Sequence, residues 1–149
     1  MQSNELTKTN TSVPSITAEM ARSRPLPIDR MVTDLNVMAS KTGSIEHPAE
    51  KRAARKELAQ GALNTKLSML ERCIPVGSDW IIGPQITIAD IAIWRLLGWL
   101  TSGILDGLPT DLLKDFPKIR RGCLSVDAHP KVREWVAMTY PENYNRGQY

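Results

Sequence analysis

Between Ile88 and Leu100 the chain is apolar almost all round, with Asp90 and Arg95 as the only charged residues. A surface helix keeps one polar face, so this segment predicts a helix at the centre of a bundle. It is too short and too interrupted to span a bilayer. On either side, apolar residues recur with helical spacing. Leu63, Leu67, Leu70 and Ile74 form one stripe, and Phe116, Ile119, Cys123 and Val126 form another. Val132, Trp135 and Val136 mark a shorter helix, and Met31, Leu35 and Met38 an earlier one.

Proline and glycine punctuate these stripes. Pro27 and Pro48 open the first two helices, and Gly43 closes the first. Pro75, Gly77 and Ser78 end the second; Gly103 and Gly107, with Pro109 behind them, make the exit turn of the central helix near Ser102. Pro117 starts the next, and Asp127 to Pro130 breaks the chain before the last. The expected fold is an all-α bundle of about five main helices over residues 27–141. A polar N-terminal extension, 1–26, precedes it, and a tail without periodicity, 142–149, follows it. The central helix has a complete start device. Thr87 and Asp90 are spaced as a capping box, and Ile86 and Ile91 as its hydrophobic staple.

Composition narrows the function classes. With 149 residues and 42% hydrophobic residues, this is one domain with a substantial core. The 19 basic and 16 acidic residues leave a net charge of +3, and the charges mostly alternate in sign, which argues against a nucleic-acid module. No apolar core follows Met1, so no secretory signal is expected, and the reading is an intracellular protein, cytoplasmic or organellar. Cys73 and Cys123 lack metal-ligand spacing and are expected as buried free thiols on two helices, with a disulfide staple as the alternative. No metal site is expected.

The segment Gly83, Thr87-Ile-Ala-Asp90 and the apolar helix after it resembles the core helix of the C-terminal domain of glutathione transferases. The flanks agree in order: Ile28-Asp29 with Met31, Val32 and Leu35; Lys51 to Glu57 leading to Leu67 to Glu71; Phe116 to Ile119; and Ala128 to Val132 with Trp135, in the style of the sigma class. The resemblance implies an all-helical domain that normally follows a thioredoxin-like domain carrying the glutathione site. About 26 residues precede the helical region here, and they show no strand pattern. Gln2-Ser3 resembles the pair that ends the family's glutathione site, while Val13-Pro14 is spaced wrongly for its proline pair. Sigma-type enzymes also place an acid on the first helix of this domain, where this sequence reads Asn36 and Val37.

The candidate chemistry is sparse. Asp90 in a capping box reads as structural. His47 and His129 each precede a helix-opening proline and have no partner arranged for nucleophilic catalysis. Lys51, Arg52, Arg55 and Lys56 form a candidate patch for an anionic partner or lipid surface. Met31, Leu35 and Met38 form a candidate groove for a partner or ligand. No catalytic or cofactor-binding residue is assigned. The expectation is a non-catalytic assembly subunit, a pseudoenzyme scaffold within a larger protein complex, with peripheral contact to a membrane complex allowed and no nucleic acid or transmembrane segment. By resemblance, related helical domains act as assembly modules in translation-factor and synthetase complexes. The alternative is a sigma-like glutathione transferase whose catalytic half is missing from this chain; only then would glutathione be a cofactor.

Overall fold

Three prolines, Pro48, Pro117 and Pro130, stand in the first turns of helices, where a missing N–H costs no hydrogen bond. In the computed structural model, which describes residues 28–149, the helices are α1 (Ile28–Lys41), α2 (Pro48–Leu58), α3 (Asn64–Cys73), α4 (Ile88–Thr101), α5 (Pro117–Ala128) and α6 (Pro130–Thr139). A short 3₁₀ turn, Thr42–Ser44, follows α1, and a π-helical turn, Ala59–Leu63, joins α2 to α3 as one continuous rod. The described residues therefore form five helical bodies and contain no strand. The extension 1–26, with Gln2-Ser3 and Val13-Pro14, lies outside them.

Helix α4 is central, packing against α1 on one side and α5 on the other, while α5 also meets α3 and α6. The stripe Leu63, Leu67, Leu70 and Ile74 is fully buried, as are Ile119, Cys123 and Val126, and the core closes over Ile93, Trp94, Leu97 and Leu100 of α4. Burying each such side chain contributes about 1.5–3 kcal/mol relative to leaving it in water.

One sequence expectation changes. Cys73 is exposed, because the buried stripe of α3 runs through Leu70 and Ile74 and the residue beside Ile74 falls on the neighbouring face. Cys123 is buried, and burial first, then the carboxylates of Asp90 and Asp127, push its thiol well above the usual range. The aperiodic tail is docked on α4. Asn145 donates to the Ser102 carbonyl at 2.7 Å, the Gln148 N–H donates to Thr101 Oγ1 at 2.9 Å, and the Tyr149 hydroxyl donates to the Trp94 carbonyl at 2.9 Å. Gly98 permits this: a Cβ there would lie 2.2 Å from the Arg146 carbonyl oxygen.

The start of α5 is capped from another helix. Phe116 supplies no side-chain cap, and the Glu71 carboxylate of α3 instead accepts the N–H groups of Lys118 and Ile119 at 2.9 and 3.0 Å. Lys118 returns a hydrogen bond from Nζ to the Ile74 carbonyl at 2.8 Å. Carboxylate at a helix N-terminus meets both free donors and the positive end of the dipole. Glu71→Ala is expected to lower the unfolding free energy by about 1–2 kcal/mol in urea titrations, in the range of a lost helix cap. No change would mean that water replaces the carboxylate without cost.

Candidate interaction surface

The geometry of α4 is set at its first turn. Thr87 has extended backbone angles, φ −123° and ψ 167°, and its Oγ1 accepts the Asp90 N–H at 3.3 Å. The Thr87 N–H and hydroxyl both donate to Asp90 Oδ2, at 2.9 and 2.6 Å. Asp90 Oδ1 faces the other way and accepts the N–H groups of Ile81 at 2.7 Å and Ile82 at 3.0 Å. Asp90 is 0% exposed. One carboxylate thus caps α4 and also fastens the loop that arrives from α3. The staple residues Ile86 and Ile91 sit beside this cap and share the wall of an apolar concavity.

Beyond the cap, α4 turns one stripe outward: Ile88, Ile91, Ala92, Arg95 and Trp99, at helical spacing. Ile88 is 86% exposed and Ile91 39%. A groove of about 430 Å³ runs along this stripe between α1 and α4, with Val32 and Asn36 on one wall and Ala92, Leu96 and Trp99 on the other. On the far flank, a second concavity of about 330 Å³ lies between the start of α4 and α6, lined by Ile86, Ile91, Trp94, His129, Val132 and Trp135. The His129 Nδ1 atom is buried without a hydrogen-bond partner.

Between the two flanks two tyrosines contact Arg95. Its Nη2 donates to the Tyr144 hydroxyl at 2.6 Å, and its guanidinium lies 5.6 and 5.7 Å from the ring centres of Tyr140 and Tyr144. The two rings stack at 4.3 Å, and Trp135 meets Tyr140 edge-on at 5.5 Å. Burial opposes the charge, but the two phenol groups outweigh it, and the pKa of Arg95 is raised overall. On the inner side, Trp94 Nε1 donates to Asp127 at 3.2 Å, and Asp127 also pairs with Arg146 of the tail.

A match to a family model, described as glutathione S-transferase, C-terminal domain, covers residues 35–139, more than two thirds of the chain. The chain belongs to that family. No curated protein and no solved structure matches it. In this glutathione S-transferase C-terminal domain, no helix among the described residues is long and apolar enough to cross a membrane. The described residues also contain no cluster of three or more His, Cys, Asp or Glu side chains able to hold a metal ion.

Two candidate surfaces from the sequence are corrected. Met31 and Leu35 are 7% and 3% exposed and belong to the core, and Met38 is half-buried. They point at the bundle because α1 lies against α4 on that side, so the open groove falls on the adjacent face, along Val32 and Asn36. The basic patch is also broken up. Arg55 is buried, donating from Nε to Thr42 Oγ1 at 2.9 Å and from Nη1 to the Asp106 carbonyl at 3.0 Å, while Arg52 pairs with the Asp106 carboxylate at 3.2 Å. Lys51 is half-buried and Lys56 exposed. His47 and His129 stand at helix N-cap positions without side-chain capping bonds.

Sequence reasoning missed the Arg95 cage. A signal was present: the chain has three tyrosines, and all fall in its last ten residues, at 140, 144 and 149. Such clustering in a tail marks a segment with something to pack against.

Asp90→Ala strands three backbone N–H groups and the Thr87 hydroxyl. It is expected to destabilise the domain by about 3 kcal/mol or more, read from denaturant midpoints at unchanged m-value. Asp90→Asn is expected to recover only part of this, because its amide NH₂ faces donors on one side.

Proposed function

We propose that this domain is a protein-interaction module, an assembly subunit that acts without catalysis, and that its partner covers the outward stripe of α4 with the groove between α1 and α4. What carries the reading is the character of that surface. Val32, Ala92, Leu96 and Trp99 give the groove an apolar lining beside Thr33 and Asn36, and among the described residues the one charge in that lining is Arg95, which two tyrosines contact. Preorganised aromatic and arginine side chains at the centre of an apolar patch are typical anchors of protein interfaces. Ile88 and Ile91 extend the patch at the start of the helix.

Family membership favours a second reading, in which the domain completes a glutathione transferase whose catalytic half is supplied separately. The two readings diverge in what travels with the protein.

Native isolation with size determination and mass spectrometry separates them. The assembly reading expects a complex of fixed composition that Ala92→Glu, which sets a charge in the groove, weakens at least about tenfold while the thermal midpoint of the isolated domain is unchanged. Recovery as a small species that ignores Ala92→Glu would contradict it. Recovery with a second chain that binds glutathione would establish the transferase reading instead.

A further inference from the structure

A further cavity lies away from the α4 face. It has a volume of about 630 Å³ and sits where the π-helical turn Ala59–Leu63 faces the loop between α4 and α5. Its size falls within the range of small-molecule sites. π-Helical turns are rare and concentrate at functional sites. Here the turn and the cavity coincide.

The wider turn has a definite effect on side-chain placement. In an uninterrupted α-helix, residue i+8 lies about 80° round from residue i. A turn that takes more residues reduces that advance. Lys56, Gln60 and Asn64, eight residues from first to last, accordingly share one wall of the cavity. This row presents one cation and two amides. Leu108 and Leu112 form an apolar floor opposite the row, and Ala59 adds to it from the helical side; all three are buried. Gly107, at φ +98°, closes one end by lying against the Arg52 backbone, where a Cβ would be 2.7 Å from the carbonyl oxygen.

The charges on the lining are not equivalent. Lys114 is already paired with Asp111 at 3.1 Å. Among the described residues Lys56 has no ion pair, whereas its neighbours Arg52 and Arg55 are both engaged at Asp106. The cavity therefore offers one lysine without an ion pair among the described residues, two adjacent amide donors and an apolar floor.

From this arrangement we infer that the cavity is a binding site for a medium-chain organic carboxylate. The carboxylate pairs with Lys56 and accepts hydrogen bonds from Gln60 and Asn64, and the hydrocarbon chain lies on Leu108 and Leu112. The site is separate from the α1/α4 groove and independent of the assembly reading. A charged head and an apolar chain are both required, since a surface ion pair alone contributes little.

The test is calorimetric titration of the full chain with decanoate, decanol and acetate. Decanoate is expected to bind saturably at one site, and decanol and acetate at least about tenfold more weakly. Lys56→Gln is expected to weaken decanoate about tenfold, and Gln60→Trp, which fills the cavity from an exposed position, to abolish binding. Absence of saturable decanoate binding would overturn the inference, as would decanol binding equally well, or both variants binding like the parent chain. The comparison of decanoate with decanol needs no variant, so a folding defect in either substitution leaves the test intact.

Discussion

The Asp90 carboxylate is taken wholly out of water and receives four hydrogen bonds, from three backbone N–H groups and one hydroxyl. A buried carboxylate is tolerated only when its oxygens are satisfied in this way. Its position makes it more than a cap. The donors come from both sides of the chain reversal before α4, so the direction of the central helix and the path of the preceding loop are decided by one group. Every other helical body packs against α4 or against a neighbour that does.

With α4 so placed, its outer face follows. Helical geometry gives α4 a buried side, occupied by Ile93, Trp94, Leu97 and Leu100, and a complementary side bearing Ile88, Ile91, Ala92, Arg95 and Trp99. The tail contributes to both. Tyr149 and Gln148 bind the carbonyl and hydroxyl groups of α4 beside Gly98, while Tyr140 and Tyr144 immobilise Arg95. Burial first, then the nearby Cys123 and Asp127, push the Tyr149 phenol well above its usual range. The docked tail thus continues the domain instead of trailing from it.

Much of this was legible in the amino-acid sequence, and the limits have a common physical origin. Periodicity identifies that a helix has a buried face, and Leu63, Leu67, Leu70 and Ile74 lie where their spacing places them. Thr87 and Asp90 are readable because a cap is local: donor and acceptor are three residues apart. Properties that depend on which neighbour lies across a face were not readable. Met31 and Leu35 are apolar whether they line a groove or the core, and only the position of α4 decides. Arg55 looks like any exposed helix cation until Thr42 and the Asp106 carbonyl are brought to it from 13 and 51 residues away. The second pair of donors on Asp90, the cap that Glu71 supplies to α5 and the π-helical turn are likewise products of tertiary packing, which propensity does not encode.

One carboxylate binds the loop and the central helix into a single cooperative unit. Native-state hydrogen exchange at the Ile81 and Ile82 amides tests it most directly, because both lie outside any helix. These amides are expected to exchange only on global unfolding, in step with the Leu97 amide in the middle of α4. Exchange of Ile81 and Ile82 at the rates of an open loop, while Leu97 stays protected, would contradict it.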